Sequence, residues 1–234
     1  MLLFFLRHGD PIYNPDSLTP LGRRQAEALG KRLALYGIDK IFVSSSERAI
    51  QTSKPTSEMT HKKAEILDWC NENYAWAELT VNDDKGRRWM FQDSNCLKAF
   101  VSDEMNNLGN RWYDHPMFDG TAVKQGYQRI QKGADEFLLS LGYKHTGYAY
   151  EAVAPNDQRV ALFAHQGFGL AFLSAVLDIP YPLFSAKFDM GHTGMTVIEF
   201  AGDGMVIPNV LQLSNDSHLY KEGLTTDYQN RLKF

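Results

Sequence analysis

The stretch that decides the fold is MLLFFLRHGD, residues 1–10. It begins with an unbroken apolar run that is too short for a buried helix but typical of a strand covered on both faces. The run ends at Arg7, His8 and Gly9. Open α/β sheets bind ligands at the carboxyl ends of their strands, so a cation and an imidazole are expected where a ligand would bind.

The rest of the chain alternates between helical and strand patterns. Thr19 and Pro20 are an N-cap and first-turn signal for a helix, and Gly37 is its expected end. The βαβ order predicts an α/β fold with a mostly parallel central sheet and helices on both faces. The remaining predicted elements are strands at 40–43, 64–67, 159–164 and 195–200 and helices from 47, at 124–141 and at 170–177.

Between Asp68 and Gly126 this alternation is lost, and the region holds all four tryptophans. Short helical pieces are expected within 94–108. The aromatic content predicts an insertion, about 70–125, that packs against the main domain. A cap over a site and a plain satellite subdomain both remain open. We therefore expect a single domain over 1–234 with a cap-like insertion. The polar tail from Gln212 onward is expected to lie on the surface.

Composition and charge narrow the class of protein. The net charge of −4 and the isoelectric point near 6.0 argue against a nucleic-acid-binding surface. The two cysteines, Cys70 and Cys96, form neither a zinc pattern nor a disulfide framework. The N-terminal apolar run is too short for a membrane span or a signal peptide. We expect a cytoplasmic protein without membrane or nucleic-acid partners, either a monomer or a homodimer.

Polar residues follow three of the predicted strands. Arg7 and His8 end the first, His165 follows the strand at 159–164, and Arg48 begins the helix after residues 40–43. Carboxyl ends of parallel strands share one edge, so these side chains should converge. Guanidiniums, imidazoles and helix N-termini together favour a dianion, and phosphate is the obvious candidate.

These motifs resemble the histidine phosphatase superfamily, the phosphoglycerate-mutase-like proteins. The resemblance runs from the first residue to about 200, except for 70–125, and implies that family's three-layer sandwich. Its motifs in chain order are Arg7-His8-Gly9 with Asn14, residues 18–26 (LTPLGRRQA), Val43-Ser44 with residues 48–52 (RAIQT), and Ala164-His165-Gln166-Gly167.

The resemblance implies a role for each site residue. His8 would attack phosphorus as a neutral imidazole and form a phosphohistidine that water hydrolyses. Arg7 and Arg48 would clamp the phosphoryl oxygens, and His165 would donate a further hydrogen bond. Two further phosphate contacts are expected, from Asn14 in the loop and from the turn before the last strand, which contains His192 and Thr193. No metal or organic cofactor is implied.

The proton donor to the leaving group is the open catalytic role. Family members supply it from a glutamate just after the third strand, where this chain has Asp68. Glu72 is the rival and Glu78 a more distant one, with Asp68 preferred. A donor buried against the tryptophans would have a raised pKa, as an acid near neutral pH requires.

The expected activity is metal-independent hydrolysis of a small phosphorylated metabolite, with phosphate as product. A mutase is the alternative, but residues 70–125 do not match the long glycolytic insertion. A third hypothesis is a non-catalytic protein that binds phosphorylated ligands. A dinucleotide-binding fold is excluded because the first strand–helix turn lacks the glycine-rich fingerprint. Four basic residues of the insertion could bind a carboxylate or a second phosphate of the substrate, or could simply form a solvated charged surface. They are Lys85, Arg87, Arg88 and Arg111.

The remaining histidines carry no motif. His192 reads as a turn residue. The histidines expected to be ordinary surface or loop residues are His61, His115, His145 and His218.

Overall fold

The computed structural model describes residues 1–83 and 86–226. In chain order the strands are β1 Leu2–Arg7, β2 Pro11–Tyr13, β3 Asp16–Leu18, β4 Lys40–Ser44, β5 Ala64–Leu67, β6 Thr80–Asp83, β7 Gly86–Trp89, β8 Tyr143–Thr146, β9 Ala149–Ala152, β10 Arg159–Ala164, β11 Met195–Glu199, β12 Gly204–Val206 and β13 Asn209–Asn215. The helices are α1 Pro20–Tyr36, α2 Glu47–Thr60, α3 Glu72–Glu78, α4 Ser94–Phe100, α5 Asp103–Asn106, α6 Val123–Ser140, α7 Gln166–Val176, α8 Tyr181–Ser185 and α9 Ser217–Lys221. Short 3₁₀ segments cover Asp68–Cys70, Met90–Gln92, Gly109–Asp114 and Pro116–Phe118.

A six-stranded sheet in the order β13-β11-β1-β10-β4-β5 forms the centre. Strands β1, β10, β4 and β5 are mutually parallel. At the other side of β1, β11 pairs antiparallel with β1, and β13 pairs antiparallel with β11. The predicted α/β class with a mostly parallel sheet is confirmed. The carboxyl ends of β1, β10 and β4 therefore meet at one edge.

Both faces of the sheet are covered by helices, as the alternation within β1 shows. Leu3 and Phe5 belong to a buried cluster with residues of α6 and α7. Phe4 and Leu6 point the other way, into a cluster with residues of α1 and α2. Successive side chains of a strand face opposite sides, so an unbroken apolar run supplies two cores at once. The result is the expected three-layer sandwich.

The residues predicted to begin and end the first helix do so in the structure. The hydroxyl of Thr19 accepts a hydrogen bond from the Gly22 amide at 3.0 Å, which caps α1 with Pro20 in its first turn. Gly37 ends the helix in the left-handed conformation, with φ of 70°. This backbone region favours glycine because it lacks a Cβ.

Three features of the fold lie outside the elements predicted from the sequence. The stretch after β1 is a hairpin of β2 and β3, and β8, β9 and β12 form a second antiparallel sheet. The expectation that the tail from Gln212 onward lies on the surface is wrong for His218 and Leu219, which are buried. The start of that tail, as far as Asn215, belongs to β13, an edge strand that pairs with β11. An edge strand with one exposed side needs no apolar run, so its polar sequence hides the strand pattern.

The insertion packs against the helices through aromatic side chains. Trp112 is fully buried, with ring centroids 5.1 Å from Tyr181 and 5.0 Å from Tyr127. The short helices α4 and α5 lie within the predicted 94–108 region. Because the insertion shares a buried cluster with the main sheet, it folds onto the same core. Its role as a cap stays a prediction.

Two further observations concern the described part of the chain. None of its helices has both the length and the apolar character needed to cross a bilayer. Cys70 and Cys96 are free thiols, and both are buried.

His145 and His218 are not ordinary surface residues, contrary to expectation. His218 is buried, and burial lowers its pKa to about 4. His145 joins β8 to α6 and to the end of α7, with Nδ1 2.8 Å from Asp135 and Nε2 3.0 Å from Asp178. The hydrogen bonds with Asp135 and then Asp178 raise the pKa of His145 to about 10.

Replacing His145 by glutamine is expected to lower the free energy of unfolding by roughly 2 kcal/mol at pH 6.5, the scale of hydrogen bonds to a charged group. Because the folded pKa is raised, this stabilisation is complete below the unfolded value of about 6.5 and fades as pH rises toward 10. Urea unfolding of both proteins between pH 6.5 and 9.5 measures the difference. A difference that does not change with pH would contradict the ionic role.

Candidate active site

The sheet edge brings together the four residues predicted to converge. Arg7 ends β1 and His8 follows it, His165 follows β10, and Arg48 lies in the first turn of α2. All four are buried. The ring centroids of His8 and His165 are 5.3 Å apart.

Close backbone packing holds the loop after β1 in place. A Cβ at Gly9 would lie 2.6 Å from the carbonyl oxygen of Gly22, so no larger residue fits without displacing α1. The Thr52 hydroxyl accepts a hydrogen bond from the Gly9 amide at 3.0 Å, and Gln25 Oε1 accepts one from the Asp10 amide at 2.8 Å. Thr52 and Gln25 of these two motifs thus hold the loop that follows His8, whereas Arg48, in the second motif, faces the cavity itself.

The His8 ring has a fixed orientation. Its Nδ1 lies 2.7 Å from the carbonyl oxygen of Gly9. A carbonyl only accepts hydrogen bonds, so Nδ1 carries the proton and Nε2 keeps its lone pair. Burial, followed by the charges of His165, Arg7 and Arg48, holds the pKa of His8 well below its ordinary value. The imidazole is therefore neutral near pH 7.

Both arginines are held by protein partners. Arg7 donates to the carbonyl oxygen of Met190, and its Nη2 lies 3.0 Å from Nε2 of His192. Arg48 Nη1 forms an ion pair with Asp16 at 2.8 Å, and its guanidinium lies over the Tyr13 ring at 5.5 Å. His192 lies in its predicted turn and contacts Arg7.

His165 lies behind the cavity wall and is fully buried. Its Nε2 is 2.7 Å from the Ser44 hydroxyl and 3.3 Å from that of Ser46. Its Nδ1 lies 3.3 Å from Glu72 Oε2, without the alignment of a hydrogen bond. Burial and then the two arginines lower its pKa well below the ordinary value.

Glu72 joins this cluster from the first residue of α3. Its Oε1 accepts a hydrogen bond from the Phe168 amide in α7 at 3.0 Å. Burial raises the pKa of the carboxyl, against the opposing effects of that hydrogen bond and of Arg48 and Arg7. A mostly buried carboxyl with a raised pKa beside an imidazole has the properties of a proton donor.

Asp68 lies outside the cavity, so its location reverses the preference drawn from the sequence. It is exposed and accepts hydrogen bonds from the hydroxyls of Ser45 at 2.6 Å and Tyr74 at 2.8 Å. These two bonds lower its pKa. Glu78, the third candidate, is paired with Arg129 at 2.7 Å. The geometry favours Glu72.

Asn14 and Thr193 are not among the residues that line the cavity. Asn14 is exposed at the turn between β2 and β3, where a cis peptide bond joins it to Pro15. The Thr193 amide donates to the His8 carbonyl at 3.2 Å, and its hydroxyl contacts His218 at 3.0 Å. Thr193 supports the backbone of His8 from below.

The cavity in front of His8 has a volume of about 720 Å³. One wall comes from the insertion, where the rings of Trp76 and Trp89 meet edge-on with centroids 5.0 Å apart. Gly167 forms the base of this wall, because a Cβ there would lie 2.5 Å from the Trp89 ring and 2.8 Å from Glu72 Oε1. The lining residues are Arg7, His8, Tyr13, Asp16, Arg48, Glu72, Asn73, Trp76, Trp89, Gln92, Gln166 and Gly167.

Sequence reasoning missed the lining side chains of Tyr13, Asp16, Trp76 and Trp89. The tryptophans of the insertion were a signal, but the sequence alone does not separate wall residues from core residues such as Trp112. Asp16 follows the Asn-Pro turn without any motif of its own. Its pairing with Arg48 depends on the β2–β3 hairpin.

The basic residues of the insertion do not line the cavity in the described part of the chain. Arg87 donates hydrogen bonds to the Thr80 hydroxyl at 2.6 Å and to the carbonyl of Ala77 at 2.8 Å. Arg88 and Arg111 are also absent from the lining. Lys85 lies outside the described residues.

The chemistry of the cluster favours an anion. Donor atoms of His8, Glu72 and His165 lie within 4.8 Å of one another, a spacing that also occurs in metal sites. Arg7 and Arg48 face the same cavity, and their positive charge disfavours a cation there. Buried guanidiniums beside a neutral imidazole suit a phosphoryl group.

Comparisons with solved structures agree with the fold. A phosphoserine phosphatase from Entamoeba histolytica, in complex with 3-phosphoglyceric acid, shares 18% identity with a TM-score of 0.60, covering 93% of this chain and 98% of that one. A mycobacterial glucosyl-3-phosphoglycerate phosphatase with inorganic phosphate shares 20% identity with a TM-score of 0.61, over 93% and 98% of the two chains. These identities support the fold alone.

The family follows from the sequence itself. The chain has no significant match among curated proteins. The model of the histidine phosphatase superfamily (branch 1) matches residues 3–212, nearly the whole chain. The protein belongs to the histidine phosphatase superfamily, and its enzyme class is that of a phosphatase.

Proposed function

We propose that the protein hydrolyses the phosphate monoester of a small metabolite through a phosphohistidine on His8, without a metal ion. The observation that carries this proposal is the His8 ring, whose protonated Nδ1 binds the Gly9 carbonyl and whose pKa is well below its ordinary value. The free lone pair on Nε2 is the nucleophile that in-line attack on phosphorus requires. Neighbouring structures named as phosphatases support hydrolysis over mutase transfer.

Arg7 and Arg48 supply the electrostatic part of the mechanism. A phosphoryl group in transfer carries negative charge on its equatorial oxygens. One guanidinium can bind two such oxygens at once through parallel hydrogen bonds. Their existing bonds to Met190 and Asp16 hold them in position before the substrate arrives. Little reorganisation is then needed during the reaction.

Glu72 acts as acid and then as base in this proposal. Its raised pKa keeps a proton available for the leaving oxygen in the first step. The resulting carboxylate then takes a proton from the water that attacks the phosphohistidine, which restores both His8 and Glu72. His165 is held by hydrogen bonds with the hydroxyls of Ser44 and Ser46. It lies next to both His8 and Glu72 and supports their positions from the protein interior.

Rapid-quench labelling tests the covalent step directly. With a ³²P-labelled monoester and excess chelator, we expect steady release of phosphate and a labelled protein whose label is lost in acid but survives in base. That stability pattern is the property of a phosphoramidate bond. Loss of turnover on chelation would contradict the metal-free route, and an acid-stable label would contradict phosphohistidine.

A further inference from the structure

We propose that the part of the cavity lined by the insertion is a subsite for an uncharged ring. The preferred substrate would then carry a single phosphate on a sugar or nucleoside and no second anionic group. The inference rests on the proposed hydrolysis at His8, since the phosphate must lie between Arg7 and Arg48. It concerns what the remaining cavity can accept.

Two indole rings form the wall of this ring subsite. Trp76 and Trp89 both line the cavity, with an angle of 80° between their planes. Trp89 also stacks on Phe91, with ring centroids 5.7 Å apart, and is in close contact with Gly167. Positioned indoles bind the apolar face of a sugar or the plane of a base, and their electron-rich faces disfavour an anion.

Neutral amides supply the polar groups of the subsite. Asn73, Gln92 and Gln166 also line the cavity. A side-chain amide has both donor and acceptor atoms, which suits hydroxyl groups and the heteroatoms of a base. The amide nitrogen of Gln166 already donates one hydrogen bond to Asp189, which fixes the orientation of its side chain.

Charge excludes a second anion. Among the described lining residues, the cations are Arg7 and Arg48, which face the phosphate, and Arg48 is already paired with Asp16. Of the two arginines on β7, neither lines the cavity: Arg87 lies over the Trp76 ring at 5.8 Å and is bonded to backbone and hydroxyl oxygens of the insertion, and Arg88 is also absent from the lining. A substrate carboxylate in the subsite would be desolvated with no cation among the described lining residues beyond the two that face the phosphate, and with Asp16 and Glu72 as charged neighbours.

A matched substrate series tests the subsite. Glycerol 3-phosphate and 3-phosphoglycerate differ by a hydroxyl group and a carboxylate, whereas glucose 6-phosphate and adenosine 5′-monophosphate add a ring. We expect kcat/KM for at least one ring substrate to exceed that for glycerol 3-phosphate by about tenfold, and 3-phosphoglycerate to fall below it by a similar factor. The two ring substrates distinguish a sugar from a nucleoside. The inference is overturned if 3-phosphoglycerate is the better of the matched pair or if neither ring improves kcat/KM.

Binding to the His8→Ala variant separates this inference from the proposed chemistry. Calorimetry with the same four phosphates gives Kd values that need no turnover. Tighter binding of a ring substrate with no hydrolysis by the wild type would overturn the proposed function but support the subsite. Hydrolysis by the wild type together with a preference for the substrate that carries a carboxylate would support the proposed function but overturn the subsite.

Variants assign the preference to named side chains. Trp76→Ala is expected to lower the ratio of kcat/KM for the better ring substrate to that for glycerol 3-phosphate by about tenfold, and Trp76→Phe to restore most of it. Asn73→Arg should raise relative turnover of 3-phosphoglycerate by supplying the missing cation. Tyr148→Ala removes an exposed aromatic from the β8–β9 hairpin and is the matched control. An unchanged ratio in Trp76→Ala would overturn the subsite.

Discussion

Replacing His8 by alanine is expected to lower kcat by at least about 10⁴-fold, because loss of a nucleophile removes the covalent route rather than weakening one contact. The arginines would remain and still bind phosphate, so the variant should retain affinity for the substrate. The measurement is phosphate release at saturating substrate, with the Kd for inorganic phosphate determined by calorimetry.

The matched control for this variant is His61→Asn. His61 is exposed and has a left-handed backbone at the end of α2, a conformation that asparagine tolerates. It should retain wild-type turnover. Residual activity of His8→Ala within tenfold of wild type, with unchanged circular dichroism, would exclude His8 as the nucleophile.

Replacing Glu72 by glutamine should lower kcat by about 10²- to 10⁴-fold for an alkyl phosphate, the usual contribution of general acid catalysis. The loss should be much smaller for para-nitrophenyl phosphate, whose leaving group needs no proton. Asp68→Asn is the matched comparison, because its carboxylate is exposed and bonded to Ser45 and Tyr74. It should stay near wild type with both substrates. The opposite ranking with the alkyl phosphate would restore Asp68 as the donor.

The pH profile gives a second measurement on Glu72. Because burial raises its pKa, the carboxyl is protonated below that value, and activity should fall as pH rises through it. Because the pKa of His8 is lowered, loss of the nucleophile on acidification should occur below the ordinary histidine range. Activity toward an alkyl phosphate should therefore be greatest between the lowered pKa of His8 and the raised pKa of Glu72, and Glu72→Gln should remove the decline on the alkaline side.

The sequence predicted the elements whose signals are local. The run in residues 1–6, the Thr19–Pro20 start of α1 and the strand at 159–164 all lie within a residue or two of the observed elements. The convergence of Arg7, His8, Arg48 and His165 also followed, because parallel strands must share one edge. These predictions depend on the spacing of apolar residues, on helix-capping residues and on the order of strands and helices, all of which can be identified in a single amino-acid sequence.

The choice between Asp68 and Glu72 depended on a turn that the sequence does not specify. A 3₁₀ segment at Asp68–Cys70 follows β5 and leaves Asp68 exposed, and the next residues enter α3 with Glu72 facing Phe168. A difference of four positions along the chain thus separates solvent from cavity. The pairing of β12 with β9 depends on partners distant in sequence and was missed for the same reason.

Gly167 gives the cavity an evolutionary constraint. Its missing side chain is the space in which an indole of the insertion and the carboxyl on α3 both approach the start of α7. The side chain that contacts the body of the substrate and the one that delivers the proton therefore both pack against the same glycine. A lineage that changed its substrate by reshaping Trp89 would alter the environment of Glu72 at the same time, so selectivity and rate would have to evolve together.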